Sequence, residues 1–566
     1  MVINELVCEG CGDCGVKSNC VSVQPLETEW GRKRTIDQSS CNKDYSCIKG
    51  FCPSFVTVHG GKPKKPVAVD PSLNPPLKGE GLREAPGRGQ GVDSHPTALP
   101  STSPLQGEVK KESLPDPVLP KIGEPYGIIV TGIGGTGVVT IGGVLGMAAH
   151  LEGKGVGIID MAGLAQKGGA VYSHIRISNE PEDIHAIRIA AGGADLVLGG
   201  DIVVAGNKKV LAAVKHGSTK MMINTAEFLP GDFTRNADFS LPTERLKRAI
   251  IAAAGADSVS FVDASRLATA LLGNSIAANI FLVGYAYQNG ALPLSAESIE
   301  KAIEMNGEAV AMNQAAFRWG RRAAHDVAAV EKQIPTAASQ DENRRLSESL
   351  EEIVARRVEF LTNYQDAAYA KRYSDFVGRA IKAEAEKAKG RTGLADAVAR
   401  NLFKLMAYKD EYEVARLYTS GAFDKALRDV FAGDVKLTFH LAPPLLGRRD
   451  AVTGHLKKST FGPWLLGAMR ILSRFRGLRG TAFDPFGRTA ERRMERQLVA
   501  DYRADMEMIA SRFGMADLKL ALELAYVPEQ IRGFGHVKAA NAAAAAKRRS
   551  DLLSRLQQES LPKAAE

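Results

Sequence analysis

The residues of this chain best suited to metal or redox chemistry are its seven cysteines, and all seven fall within the first 52 of 566 positions. They stand at Cys8, Cys11, Cys14, Cys20, Cys41, Cys47 and Cys52, the last followed by Pro53. A Cys-x2-Cys-x2-Cys triplet with a Cys-Pro pair downstream is the pattern that wraps a cubane iron–sulfur cluster. Two-residue gaps let one tight turn aim successive thiolates at different irons, and Gly10, Gly12 and Gly15 offer the positive φ such a turn can require. The alternative is structural zinc in a non-enzymatic binding protein. Zinc commonly takes two Cys-x2-Cys pairs, and here a triplet stands without a second pair. The spacing therefore favours a 4Fe–4S cluster. One such cluster takes four thiolates. Cys8, Cys11 and Cys14 supply the first three, and the fourth is either Cys20, near in sequence, or Cys52, with its Cys-Pro signature. The three cysteines left over suit an incomplete or mixed-ligand site, or no site.

A second constellation is Gly132-Ile-Gly134-Gly135-Thr136-Gly137, which follows an apolar run and opens a helical one. Glycines at this spacing let the backbone approach a pyrophosphate, whose charge is met by free N–H groups and the helix dipole. Asp160 falls at the distance expected of a ribose-binding acid. These residues admit an NAD(P)- or FAD-linked oxidoreductase, with the cluster as its electron exit. The bland alternative is a Gly-rich turn that packs a helix on a strand. A third stretch, Ala165 to His174, offers Gln166, Lys167, Gly168, Gly169 and Ser173 for phosphate or carboxylate contacts, and taken alone is a basic turn. The Arg470–Arg496 run suits an acidic partner or a solvated helical face. The segment Ile531-Arg-Gly-Phe-Gly-His-Val-Lys538 has a distinctive composition without an assignable chemistry.

The apolar pattern shows what must hold these residues. Tyr126–Gly132 suits a buried strand, Val138–Leu151 a helix, and further strands are expected at 156–160, 171–178, 196–199, 221–224 and 259–263. Strands alternating with helices predict an α/β fold with a doubly wound, mostly parallel sheet. Long helices are expected over 266–289 and 295–324. Beyond residue 340 helical periodicity dominates, over 341–360, 367–389, 394–417, 488–513 and 537–558, with one strand at 435–441. Residues 61–124 are rich in Pro, Gly and Ser, and read as a disordered linker. No run of about 18 apolar residues occurs, so no membrane helix is expected. The start of the chain has no signal-peptide character, and a cytoplasmic protein is expected. A net charge of +9 over this length is too modest to point to nucleic acid.

These pieces together resemble the 2-oxoacid:ferredoxin oxidoreductases, and among them the fused bacterial indolepyruvate ferredoxin oxidoreductases. The resemblance lies in the module from Cys8 to Phe55, the turn Gly132–Val139 and the loop Ala165–Val171. It implies that 1–60 is a ferredoxin-like module, 125–330 the gamma (catalytic) domain and 340–566 the helical domain that follows gamma in the fused enzymes, with 61–124 a linker insertion. It further implies oxidative decarboxylation of an indolepyruvate-type 2-oxoacid to an acyl-CoA, using thiamine diphosphate and magnesium, with electrons passing through iron–sulfur clusters to ferredoxin. On the same resemblance Gly132, Gly134, Gly135, Thr136, Gly137, Gln166, Lys167, Gly168 and Gly169 are candidates to cradle coenzyme A rather than a dinucleotide, and Asp160 becomes structural. One departure stands out. The family's magnesium–diphosphate pattern, Gly-Asp-Gly followed by Asn-Asn, is missing, and the cysteine module begins at Cys8 with no thiamine site before it. The expectation is a C-terminal part of a split enzyme, without assigned catalytic residues of its own, oligomeric and inactive until a thiamine-binding subunit or domain is supplied.

Overall fold

A computed structural model describes residues 1–20, 22–38, 40–64, 114–163, 169–227, 236–334, 343–387, 392–444, 449–452, 454–512 and 517–559. Its strands run β1 (Val2–Ile3), β2 (Val23–Leu26), β3 (Lys33–Ile36), β4 (Phe55–His59), β5 (Lys62–Pro63), β6 (Tyr126–Ile133) and β7 (Gly155–Ala162). They continue as β8 (Ala170–Ser178), β9 (Leu196–Gly199), β10 (Lys220–Asn224), β11 (Val259–Val262), β12 (Phe431–Ala432), β13 (Lys436–Leu441) and β14 (Ser459–Phe461). The chain divides into two compact units, neither continuous in sequence.

One unit comprises Lys65–Phe228 and Pro242–Ala337. Its sheet has the order β11-β10-β9-β6-β8-β7. The central strand β6 reads Tyr-Gly-Ile-Ile-Val-Thr-Gly-Ile and is buried from Gly127 onward, as a strand covered on both faces must be. β6, β9, β10 and β11 are parallel, whereas β8 runs antiparallel between β6 and β7. The α/β class and the mostly parallel sheet are as expected, and among the six strands β8 departs. Its departure has a simple cause, since only residues 163–169 join β7 to β8 and a parallel crossover needs a dozen residues or more. The helix expected over 266–289 is interrupted: Ala264–Leu272 ends at Gly273, with φ 73°, and Asn274 caps a short turn before Ala278–Gln288. The stretch 295–324 is likewise divided at Gly307 into Ala296–Asn306 and Val310–His325. Ala278–Gln288 crosses Val310–His325 very closely. A Cβ on Gly284 would lie 2.0 Å from Phe317 O, and one on Gly320 would lie 1.9 Å from Phe281 O. Residues 114–122, assigned to the linker on sequence, join this unit: Leu119 and Ile122 pack on its core, and Gln288 Nε2 donates to Pro115 O at 2.6 Å.

The other unit gathers Met1–Lys64, Leu229–Leu241 and Ala338–Glu566. Its main sheet, β1-β4-β13-β14, is antiparallel throughout, with Val56 of β4 between Val2 and Phe439. β5 pairs with β12. Cys8, Cys14, Cys52, Phe55 and Val56 share one core with Tyr418, Phe423, Leu437, Phe439 and Met469. Two segments that look separate on sequence, the cysteine module and the helical region, are thus one folded body. Around them Leu350–Tyr364, Ala367–Lys387, Leu394–Met406, Ala490–Arg512, Leu518–Ala525 and Gly535–Glu559 build a helical core. The helix expected through 394–417 breaks at 407–410, where Asp410 caps a new helix, Glu411–Thr419, and receives two hydrogen bonds from Arg479 at 2.6 and 2.9 Å. No helix among the described residues is long and apolar enough to cross a membrane.

Candidate functional site

The seven cysteines fall into two groups. Cys8, Cys11, Cys14 and Cys52 lie within electrostatic reach of one another, whereas Cys47 faces Cys20 and Cys41. Of the two sequence candidates for the fourth thiol, Cys52 is the one that joins the triplet. Close packing brings it there. A Cβ on Gly50 would come within 2.9 Å of the Cys14 backbone, and Phe51 N donates to Asp13 Oδ2 at 2.6 Å. Gly10 and Gly12 have φ of 67° and 78°, and a Cβ on Gly10 would strike Arg32 O at 2.1 Å. Gly15, expected to share that conformation, instead lies within the helix Asp13–Ser18; the left-handed residue is Asn19, φ 49°, whose N–H donates to Gly15 O. Among the described residues no three His, Cys, Asp or Glu side chains converge tightly enough to hold a single metal ion. Thiolates on different corners of a cubane are held further apart than those around one ion. Four free thiols around one loop are the donor set such a cluster needs.

Burial and the neighbouring Cys8 sulfur raise Cys14 well above its usual range and push Cys52 up to about 11. Positive charge is arranged against them. The fully buried Arg34, anchored by Nη2 donating to Ala237 O at 2.8 Å, faces Cys8 and Cys14. Lys458 Nζ donates to Gly50 O at 2.6 Å and Ile48 O at 3.0 Å, facing Cys52 and Cys14. Lys409 Nζ donates to Cys8 O at 3.1 Å and pairs with Glu9 at 2.6 Å. The segment 531–538 acquires a role: a Cβ on Gly533 would sit 3.3 Å from Cys11 Cβ, and one on Gly535 would press on the Phe51 ring at 2.6 Å. The arginine run is partly interior, since Arg479 and Arg492 are buried in ion pairs with Asp410 and Glu495. Sequence reasoning missed Arg34, Lys409 and Lys458, because nothing local marks which of a chain's many cations will fold against a distant loop.

In the sheet unit the strand order reverses between β6 and β9, the position at which open α/β sheets form a crevice beyond their carboxyl ends. The Gly132–Gly137 turn lies there. Gly134 N donates to Gly169 O at 2.8 Å, and Thr136 Oγ1 to Ile133 O at 2.6 Å. Gly135, φ 92°, has open space around it. Gly137, φ 84°, begins the helix Val138–Leu151 without a side-chain cap, and a Cβ on it would strike Asn279 at 2.0 Å. Gln166, Lys167 and Gly168 lie outside the described residues, while Gly169 joins the turn. Beside the turn is a residue that sequence reasoning missed. Asp201, ending Leu-Gly-Gly-Asp after β9, is fully buried; burial lifts its pKa to about 6 against the amides of Val204, Val203 and Ile133. Asn224 Nδ2 donates to Gly200 O at 2.9 Å and braces the same loop. His174, from the basic stretch, is instead structural, its Nδ1 accepting from Ile189 N at 3.0 Å. A cavity of about 690 Å³ on this unit is lined by Tyr172, His174, Arg188 and Lys209. Asp160 sits on β7, separated from β6 by β8 and so roughly 10 Å away, not on the adjacent parallel strand that a dinucleotide's ribose requires.

Residues 127–323 match the pyruvate ferredoxin/flavodoxin oxidoreductase family, and residues 350–551 match a family of unknown function, DUF6537. Indolepyruvate oxidoreductase subunit IorB of Pyrococcus horikoshii is 29% identical over 204 residues, 36% of this chain and 97% of the relative. The same subunit of Thermococcus kodakarensis is 28% identical over 205 residues, again 36% and 97%. Among solved structures, the Thermotoga maritima pyruvate oxidoreductase subunit PORC aligns with TM-score 0.27 and 22% identity over 35% of this chain and 96% of its own. A 2-oxoglutarate:ferredoxin oxidoreductase from Magnetococcus marinus aligns at 0.26 and 16%, over 51% and 46%. Residues 127–323 thus carry a pyruvate ferredoxin/flavodoxin oxidoreductase domain built around the Gly-rich turn, and this part of the chain is similar to subunits of ferredoxin-reducing 2-oxoacid oxidoreductases.

Proposed function

We propose that this chain is the electron-transfer and coenzyme A-binding part of an indolepyruvate-type enzyme, with Cys8, Cys11, Cys14 and Cys52 holding a 4Fe–4S cluster. The observation that carries this reading is the grouping of those four thiols with Arg34 and Lys458 set against them. A bound cluster supplies one-electron storage between 2-oxoacid oxidation and ferredoxin. The thiols must lose their protons to become ligands, and the two cations offset the resulting negative charge. Glu9, held down at about 2 by Lys409, Lys33 and Lys538 against the opposing effect of burial, keeps Lys409 fixed on the Cys8 carbonyl. At the strand-order reversal, the amides of Gly135 and Gly137 and the first turn of the following helix are suited to coenzyme A phosphates, while those of Gly134 and Thr136 hold the turn through Gly169 O and Ile133 O. Gln166, Lys167 and Gly168 complete the candidate contacts. Likeness to the indolepyruvate subunits supports an aryl pyruvate as the 2-oxoacid, with thiamine diphosphate and magnesium supplied by another subunit or domain in an oligomer. Free cysteines suit a reducing, cytoplasmic compartment.

Anaerobic purification tests the reading directly. Brown protein with iron and sulfide, binding coenzyme A but neither NADH nor NADPH in calorimetry, is expected. Colourless protein carrying only zinc would refute it. Tight NADH binding without coenzyme A binding would move the function to the nucleotide-linked class.

A further inference from the structure

The arginine run divides in the fold. Arg479 is buried against Asp410, and Arg476 Nη1 donates to Asn363 O at 2.7 Å. Arg470 and Arg474 are exposed and have no side-chain partner among the described residues. Both stand on the helix Leu465–Arg474, in the stretch that matches a family of unknown function. One side of this helix is docked: Met469 is buried, and Leu465, Leu466 and Leu472 pack on the core that holds Cys8, Cys14 and Cys52. The other side is bare. Trp464, Ile471 and Phe475 are 66%, 61% and 51% exposed. With exposed Ala468 they stand at i, i+4, i+7 and i+11, one stripe of an α-helix.

Single exposed apolar residues need no explanation, but a contiguous stripe of aromatic and aliphatic side chains beside arginines has the make-up of a recognition surface. Charge narrows the partner. Residues 451–483 contain six Lys and Arg and no Asp or Glu, so an acidic surface is attracted and a basic one repelled. A second copy would set Arg470 and Arg474 against their own counterparts, because an isologous contact uses the same patch twice. Size narrows it further. The apolar stripe amounts to roughly a few hundred Å², which suits the brief encounter of an electron carrier rather than an obligate subunit. Its place agrees: Trp464 lies six residues beyond Lys458, whose Nζ holds Gly50 O between Cys47 and Cys52.

We propose that the exposed face of the helix Leu465–Arg474, with Trp464, Ile471 and Phe475 at its centre and Arg470 and Arg474 at its rim, docks a small acidic one-electron carrier protein. The proposal rests on the iron–sulfur reading of the cysteine loop. In the docked pair one electron leaves the reduced cysteine site and reduces the carrier; no bond forms or breaks and no proton moves. The tail of unknown function is thereby the part of the chain that recognises the acceptor.

The test titrates the full chain, purified anaerobically, with an oxidised acidic two-cluster ferredoxin, reading Kd by calorimetry at about 50 mM and about 0.5 M salt. Arg470→Glu/Arg474→Glu should weaken binding about tenfold or more at low salt, and the loss should shrink at high salt. Trp464→Ala should weaken it about tenfold at both, because apolar contact is not screened. Second-order rate constants for ferredoxin reduction by the reduced chain should fall in step. Iron content, and electron transfer to methyl viologen, which needs no docking face, should match wild type. Ferredoxin that fails to bind the wild type, or binds every variant alike, overturns the docking face. So does a loss confined to self-association, read by analytical ultracentrifugation, or to binding of anionic lipid vesicles. Wild-type protein without iron refutes the iron–sulfur reading instead, and the calorimetric comparison then still decides the face.

Discussion

Two side chains have consequences measurable one at a time. Asp201 is ionised at neutral pH in a buried setting that lifts its pKa from 3.8 to about 6. A raised carboxyl binds its proton more tightly when folded. The stability it confers is therefore intact below about 3.8 and is lost as pH rises through about 6. Asp201→Asn keeps an oxygen for the Val203 and Val204 amides and carries no charge. It should stabilise the protein at pH 7.5 by up to roughly 3 kcal/mol, at about 1.4 kcal/mol per pKa unit. The gain should vanish near pH 4; thermal melts across that range check it, and a pH-independent gain would contradict it. Lys458 would act through its charge on the proposed cluster, since it faces Cys52 and Cys14. Lys458→Met should lower the midpoint potential of the proposed cluster at unchanged iron content, with Lys458→Arg restoring much of it, as read by redox titration followed by electron paramagnetic resonance.

Between elements, the decisive contacts join pieces far apart in the chain. Phe439 of β13 is fully buried and lies opposite Val56 of β4, close to Cys52 in sequence. Phe439→Ala should cost about 3–5 kcal/mol, measured by urea unfolding, and should lower iron retention although the residue binds no metal. Gly320 permits the close crossing of Ala278–Gln288 and Val310–His325, and Gly320→Ala should cost about 1–3 kcal/mol or more by forcing the helices apart. Much at this scale was legible. The helix Val138–Leu151 and the strand Leu196–Gly199 have the predicted limits, because an apolar run framed by glycine or turn residues has few other options. The helix breaks at Gly273, Gly307 and Asp410 were missed, since Ala- and Leu-rich flanks continue the periodicity while a single left-handed or capping residue ends it. The direction of β8 was missed because period-two alternation does not distinguish parallel from antiparallel pairing; only the length of the connection does. At the candidate sites the cysteines and glycines announced themselves by spacing. Asp201, Arg34 and Lys458 did not, because their roles come from tertiary burial rather than from any local pattern.

Across the whole molecule, chain order and folded order part company. The first 64 residues contribute only β1 and β4 to a sheet whose other strands come from beyond residue 430. Their hydrophobic core is likewise completed by Tyr418, Phe423 and Leu437. A fragment of residues 1–64, though it holds every cysteine, should therefore neither melt cooperatively nor retain reconstituted iron, whereas the full chain should do both; circular dichroism and iron analysis compare them. A compact fragment that keeps its iron would show that the module suffices by itself. Sequence reading separated these parts because composition shifts mark linkers well and say nothing about which distant strand will complete an edge.

The pairing of β4 with β13 bears on how such a protein can be inherited. One strand belongs to the cysteine-bearing head, and the other lies in the stretch that matches a family of unknown function. Recombination that traded the head for another ferredoxin, or dropped the tail, would leave an unzipped sheet edge and an exposed apolar face. Head and tail are therefore exchangeable only as a pair, because the tail shelters the apolar face of the head.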